Sequence, residues 1–478
     1  MTGEATSVSL CPMNRPNRTI IEDVLITDAG SEGMAVGHYE NKVVFLRNAV
    51  PGDVVDIMLT RQKKSFSEGK LVRIKKYSDK RQEPICSHFG VCGGCKWQNM
   101  QYEHQLFYKQ KNVEDNLLRI GKLEIEHFIP ILPSPEIFHY RNKMEYSFSN
   151  VRFLTEEDMA TGRENKNMNA LGFHVASFYR VLDLEHCYLP PELSDRIRNV
   201  VRAYALDNLL EYYDQRNHTG YLRNMFVRST TLGHWMVIMV VAYDDPETLE
   251  PLLKHIQESF PEITSLMYVI NGKGNDTISD LPVELYSGLP YMMEELEGIK
   301  FKIGPVSFFQ TNSKQVLQLY RLIREFAAIG PDDIVYDLYT GTGTIANFVA
   351  SAAAKVVGVE YVKTAIDDAK ENSHVNGITN TVFYDGDLAK TFTDEFVAAN
   401  GKPSIIITDP PRAGMHPAVV EQILKIAPEK IVYVSCNSAT QARDAAMMKE
   451  FYRVVKVQPV DMFPHTQHVE NVMLLVKK

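Results

Sequence analysis

From about residue 314 to the C-terminal end, short β-branched runs alternate with stretches whose apolar residues recur every three or four positions. "DIVYDLY", "KVVGVE", "TVFYDGD", "SIIITDPP" and "IVYVSCN" read as strands, and "SKQVLQLYRLIREFAAI", "VKTAIDDAKENSHVNG" and "PAVVEQILKIA" among them as helices. That alternation predicts an α/β domain with a mostly parallel, doubly wound sheet, closed by a hairpin from "RVVKVQPVDMF" and "VENVMLLVKK". Residues 19–76 carry a different rhythm: four β-rich runs separated by glycine-containing turns, which predicts a small barrel. Between them, "QYEHQLFYKQKNVEDNLLRIG" has helical spacing, and residues 130–300 read only as mixed α/β.

Length and charge narrow this picture. A chain of 478 residues with 45% hydrophobic content builds more than one core. It has no apolar run of the roughly 18 residues needed to span a bilayer and no signal-peptide h-region, so a soluble, cytoplasmic protein is expected. A net charge of −9 excludes a generally nucleic-acid-coating protein but allows a local basic face. One lies between Arg61 and Arg81, where nine Lys/Arg face two acids, Glu68 and Asp79. It reads equally as an RNA contact or as a strand edge protected by lysines. Six cysteines, at 11, 86, 92, 95, 187 and 436, are too sparse for a disulfide scaffold and suggest metal ligation in a reducing compartment.

Three stretches carry chemistry. In "YDLYTGTGT" (336–344), Gly341 and Gly343 let the chain turn tightly after a strand and approach a ligand before the next helix. Sixteen residues separate Gly343 from Glu360, which ends the next strand, where a carboxylate can accept hydrogen bonds from ribose hydroxyls, and Asp387 follows in "YDGD". No third glycine completes a dinucleotide fingerprint, and the pattern resembles the S-adenosylmethionine motif of Rossmann-like methyltransferases. In "TDPPRAG" (408–414) two prolines stiffen a loop at the carboxyl end of the sheet and aim Asp409 into the cleft. In "IVYVSCNSAT" (431–440) Cys436 ends the adjacent strand on the same rim. Alone it would be a packing thiol. Beside a methyl donor it reads as a nucleophile for carbon 6 of a uracil, whose adduct makes carbon 5 nucleophilic and requires a base to remove its hydrogen.

"SFFQTN" (307–312), "DLYTGTGT" (337–344), "GVE" (358–360), "DPPRAG" (409–414), "VSCN" (434–437) and "HVENV" (468–472) occur in the order found in the 23S ribosomal RNA (uracil-5-)-methyltransferase family, which the chain resembles. The resemblance implies that Cys436 is the nucleophile and Glu470 the base. It implies that Gln310, Tyr339, Gly341, Thr344, Glu360, Asp387 and Asp409 line the S-adenosyl-L-methionine and target-base pocket, and that the base is turned out of its stack to react.

A fourth stretch, "CSHFGVCGGCKWQ", has the spacing C-x5-C-x2-C at Cys86, Cys92 and Cys95, with Cys187 as a distant fourth thiol. Four thiolates suit zinc or an iron–sulfur cluster, and three clustered cysteines plus one distant favour the latter. The resemblance implies a [4Fe–4S] cluster at Cys86, Cys92, Cys95 and Cys187, with a structural and RNA-orienting role. It also implies that the barrel is an OB-like TRAM module. The expected organisation is therefore a TRAM-like barrel at 12–78, a cluster-bearing central domain at 79–300 and a Rossmann-like class I methyltransferase domain at 301–478. The expected partner is 23S ribosomal RNA, with the protein a monomer lacking an obligate protein partner or a membrane. His174, Arg141, Lys143, Tyr140 and Tyr146 are read as packed or solvated residues with RNA contact as the alternative. Rival readings are a tRNA uracil-5-methyltransferase, an enzyme that methylates a base amine, and an RNA-binding assembly factor with a vestigial methyltransferase domain.

Overall fold

A computed structural model describes residues 19–162, 167–175 and 179–478. Cys11 and the first residues of the expected barrel lie outside them. Two compact units form: the chain to Glu83 with Lys96–Gln101, and Pro84–Cys95 with Tyr102–Lys478.

The first unit is a closed five-stranded barrel. Strands Ile20–Ala29, Ala35–Tyr39, Lys42–Leu46, Val54–Gln62 and Phe66–Lys76 follow the order first, second, third, fifth, fourth around it. Alternating residues of each strand point inward, and Ile21, Ile26, Val44, Leu46, Val55 and Ile57 fill the interior. Gly69 is obligatory, because a Cβ there would lie 2.1 Å from the Ile57 side chain.

The second unit contains two large sheets. The central one has seven strands, in the order Glu284–Gly288, Ile263–Ile270, Trp235–Val241, Leu222–Ser229, Lys143–Ser149, Ala170–His174 and Val181–Asp183. Helices Glu192–Asp207 and Pro246–Ser259 cover one face. Apolar residues of the other, Phe226, Met236, Ile238 and Val240, share a core with Val335, Ile405 and Val432 of the C-terminal sheet.

The C-terminal sheet has the order Thr381–Asp385, Lys355–Glu360, Ile334–Leu338, Ile405–Thr408, Lys430–Ser435, Glu470–Lys477, Tyr452–Val460 and Ile125–Phe128. The first five strands are parallel and the two from the expected hairpin pair antiparallel. Buried on both faces, the parallel strands are almost wholly apolar, as in "KIVYVS". Strand order reverses between Ile334–Leu338 and Ile405–Thr408, so the cleft for a ligand opens at the carboxyl ends there. The eighth strand comes from far upstream: Ile125–Phe128 pairs in parallel with Tyr452–Val460, and helix Tyr102–Asp115 leads to it.

Candidate active site

The turn after Ile334–Leu338 is built on a buried carboxyl. Asp337 Oδ2 accepts from the Thr340 hydroxyl at 2.6 Å and the Ala346 amide at 3.0 Å, tying both sides of the glycine bend together. Burial raises the Asp337 carboxyl to about 7, and the charge of Glu360 adds to the rise. Gly341 and Gly343 take φ values of 55° and 72°, which side chains resist. A Cβ at Gly343 would press Ala369 at 2.8 Å, whereas one at Gly341 would meet nothing within 4 Å. The bend therefore packs on one side and leaves open space on the other. Glu360 borders that space, its carboxylate accepting from the amides of Gly341 at 3.2 Å and Val362 at 3.0 Å. Thr344 opens the following helix and shares a 2.7 Å hydrogen bond with the Tyr320 hydroxyl. Tyr339 has a φ of 64°, and its phenol meets the main chain of His416. Asp387 caps a short helix by accepting from Ala389 N at 3.1 Å. Gln310 is half-buried, and its carbonyl accepts from the Asn142 side chain at 3.0 Å.

Cys436, Glu470 and Asp409 converge at the neighbouring rim. Burial pushes the Cys436 thiol up to about 11, with the charges of Glu470 and Asp409 adding to it. Glu470, almost without exposure as the first residue of its strand, is raised well above the usual carboxylate range by burial and then by Asp409. Asp409 is raised by burial and by Asp337. Tyr320 stands in the field of both aspartates, which links the two halves of the site.

Arg412 is the residue that sequence reasoning left without a role. Its side chain hydrogen-bonds Cys436 and its charge lowers both the thiol and Glu470 against their burial. The only sequence signal was the fourth letter of D-P-P-R. Its loop is fastened by the helix after Cys436: Asn437 Nδ2 and the Thr440 hydroxyl donate to the Arg412 carbonyl at 3.0 and 3.2 Å. Arg443 Nη2 donates to the Ala413 carbonyl, and Asp444, itself held by the Tyr433 hydroxyl at 2.7 Å, accepts from Met415 N at 2.8 Å. Gly414 turns at φ 80° directly over that helix, where a Cβ would fall 2.6 Å from both Arg443 and Asp444. A thiol, a cation beside it and a protonatable carboxyl facing it can add to an electrophilic carbon, stabilise the thiolate and remove a proton.

The other four cysteines among the described residues also share one region. Burial raises the thiols of Cys86, Cys95 and Cys187, and each of the three is raised further by neighbouring cysteine sulfurs. The Gly94 amide donates to Cys92 Sγ at 3.4 Å, and the Cys187 amide to Asp195 at 2.7 Å. Among the described residues no three His, Cys, Asp or Glu side chains form a set that could hold a single metal ion.

On the barrel, four of the nine cations between 61 and 81 are engaged by acids: Arg61 by Glu68, Arg73 by Asp56, Lys75 by Glu22, Asp23 and Asp56, and Arg81 by buried Asp53. Lys63, Lys64, Lys70 and Lys76 are exposed, and Lys63 lies 4.9 Å over the Phe66 ring. Of the central-domain candidates, Tyr140 and Tyr146 are buried, and His174 Nε2 accepts from Gln215 Nε2 at 3.0 Å. No helix among the described residues is long and apolar enough to cross a membrane.

Comparison with known proteins agrees with this layout. Residues 294–478 match the family model described as tRNA (Uracil-5-)-methyltransferase, and residues 20–72 match the TRAM domain. A Bacteroides thetaiotaomicron protein described as an uncharacterized RNA methyltransferase is 50% identical over 93% of this chain and 99% of its own length. A Chlorobaculum tepidum protein of the same description is 39% identical over 95% of each chain. The crystal structure of the Pyrococcus abyssi tRNA (uracil-54, C5)-methyltransferase in complex with S-adenosyl-L-homocysteine superposes with a TM-score of 0.72. It is 26% identical and covers 95% of this chain and all of that one.

Proposed function

We propose, for a chain that belongs to the RNA (uracil-5-)-methyltransferase family and carries a TRAM barrel, that it methylates carbon 5 of a uridine in 23S ribosomal RNA. The observation that carries the chemistry is the meeting of Cys436, Arg412 and Glu470 at the rim beside the glycine bend. S-adenosyl-L-methionine, when bound, supplies the electrophilic methyl group. Gln310, Tyr339, Gly341, Thr344, Glu360, Asp387 and Asp409 would hold it and the target base, and the open space before Gly341, bordered by Glu360, fits a ribose.

The chain's own residues then divide the work. The Cys436 thiolate, favoured by Arg412, adds to carbon 6 of an extruded uracil, and the electron pair moves to carbon 5 and the carbonyl oxygen. After carbon 5 has gained its methyl group, the Glu470 carboxylate takes the hydrogen from that carbon. The C–H electrons reform the 5,6 double bond and expel the Cys436 sulfur, returning free enzyme. Asp409 and Glu470 cannot both ionise easily, so their shared field keeps Glu470 basic enough for that proton.

Cys86, Cys92, Cys95 and Cys187 are proposed to hold a [4Fe–4S] cluster, a reading supported by the resemblance, by an all-sulfur donor set and by the mutual influence of these thiols. In the proposed division, 12–78 binds RNA, 79–300 carries the cluster and 301–478 performs the chemistry. A tRNA substrate is the second reading, favoured by the likeness to the Pyrococcus abyssi enzyme. RNA containing 5-fluorouracil tests the chemistry, because fluorine cannot leave as a proton and the adduct persists: a covalent complex lost in Cys436→Ala is expected. Absence of any complex sinks the uracil reading. Mapping 5-methyluridine in the RNA of a deletion strain separates the substrates, since loss from tRNA alone removes the ribosomal target.

A further inference from the structure

Residues 461–469 join the last two strands, and Glu470 opens the second of them, paired in register with Val460. Loops of this length are ordinarily the mobile parts of a domain. This one is held by side chains along its first half. Lys109 Nζ donates to Asp461 Oδ1 at 2.5 Å and to the Phe463 carbonyl at 3.0 Å. The Tyr102 hydroxyl donates to Asp461 Oδ2 at 2.9 Å, Asn312 Nδ2 to the Met462 carbonyl at 3.1 Å, and the Tyr140 hydroxyl to the Pro464 carbonyl at 3.0 Å. Gln105 accepts from the His465 amide at 2.8 Å, and the His465 ring stacks on Phe138 with centroids 4.4 Å apart. His465 is kept at φ 66°, a conformation that costs free energy unless its surroundings impose it.

Lys109 and Asp461 have no solvent exposure. A buried ion pair of this kind adds little stability over an apolar pair of equal volume. Its use is to admit one geometry, since either charge left alone is strongly disfavoured. The cation comes from the helix Tyr102–Asp115, close after the cysteine cluster in sequence, while the anion stands immediately after Val460, the register partner of Glu470.

We propose that Lys109 and Asp461 are positioning residues for the proton-abstraction step: their buried pair locks the 461–466 segment and thereby sets where Glu470 presents its carboxylate. The inference rests on the uracil chemistry proposed above. It separates the two halves of the reaction by their mounting. Cys436 follows an interior parallel strand and is oriented by the helix behind it, whereas Glu470 begins a strand at the end of the clamped loop. Loosening the clamp therefore slows carbon-5 deprotonation and leaves thiol addition and methyl transfer alone. A displacement of about 1 Å costs on the order of 10²-fold in rate.

The experiment uses the full chain, RNA labelled with tritium at carbon 5, and labelled S-adenosylmethionine, with rapid quench. In Lys109→Met/Asp461→Leu, which removes both charges together, methyl transfer within about threefold of wild type and tritium release slowed about 100-fold are expected, with methylated covalent RNA accumulating. Equal slowing of both steps, or no slowing of either, in protein with wild-type circular dichroism overturns the proposal. Should that double variant fail to fold, Tyr102→Phe, which deletes one hydroxyl from Asp461, is read by the same two rates and the same criterion. Failure of the wild type to form an adduct with 5-fluorouracil RNA defeats the parent chemistry, whereas a normal adduct without a split between the two steps defeats the positioning role alone.

Discussion

At the rim of the C-terminal sheet, two carboxyls and one guanidinium crowd around a thiol, and burial is the leading influence on the thiol and both acids. On the barrel, nine cations stand on one stretch of 21 residues, and four that no acid among the described residues engages, Lys63, Lys64, Lys70 and Lys76, lie open to solvent. The rim spends free energy to hold few charges in fixed relation, so each alters the protonation of the next. The barrel's charges are screened within about 10 Å at ordinary salt and act through number more than through place. The contrast teaches that substitutions at the rim should change which step is slow, and substitutions on the barrel how tightly RNA is held.

The comparison breaks most sharply at Cys436. Cys436→Ala should lower methyl transfer by at least about 10⁴-fold with RNA affinity nearly unchanged, as read by single-turnover assay and filter binding. Glu470→Gln should slow turnover by about 10²–10⁴-fold while trapping methylated covalent RNA. Free turnover by that variant would remove Glu470 from its proposed role. Arg412→Met deletes a donor to the thiolate and should cost about 10²-fold near neutral pH. In the wild type, activity should climb from neutral into alkaline pH, because both the Cys436 thiol and the Glu470 carboxyl are raised and must lose protons to act. Without Arg412 the thiol limb should move higher still; a profile identical to wild type would separate Arg412 from the sulfur.

Linkage supplies a gentler test. A carboxyl whose folded value lies above its unfolded one stabilises the protein fully below the unfolded value and loses that contribution as pH rises through the folded one. Asp337, Asp409 and Glu470 all belong to this class. Glu470→Gln, which cannot ionise, should therefore melt a few degrees above wild type at weakly alkaline pH and no higher at pH 4. On the barrel, replacing Lys63, Lys64, Lys70 and Lys76 by alanine should weaken RNA binding and reduce its logarithmic salt slope by about 0.7 for each phosphate no longer neutralised. Lys75→Met should change affinity least, because that ammonium is already shared among Glu22, Asp23 and Asp56.

The parallel strands and the barrel were legible because both announce themselves in local periodicity. The position of Cys436 at the rim was legible because a thiol at a strand end, after a D-P-P loop, is placed by topology alone. Glu470 was not: a charge opening a strand has no periodic signature, and only the resemblance singled it out. Arg412 was hidden because its meaning depends on which way a loop side chain turns, and that is set by Asn437, Thr440 and Arg443 more than 20 residues on. Lys109 and Asp461 were hidden for the same reason at greater range, 352 residues apart. Strand Ile125–Phe128 was missed because four residues carry too little pattern to reveal a partner at the far end of the chain.

That short strand has a practical consequence. It occupies the rim of the eight-stranded sheet, where Tyr452–Val460 would otherwise display unpaired amides and carbonyls. A fragment cut to the segment that matches the uracil methyltransferase model, 294–478, would leave that ladder bare. Such a ladder is a template for pairing with a second copy, so the excised piece should clump when expressed. The segment that matches the uracil methyltransferase model is thus covered by a ribbon encoded well ahead of it, and dissection at the obvious junction would cut that cover away.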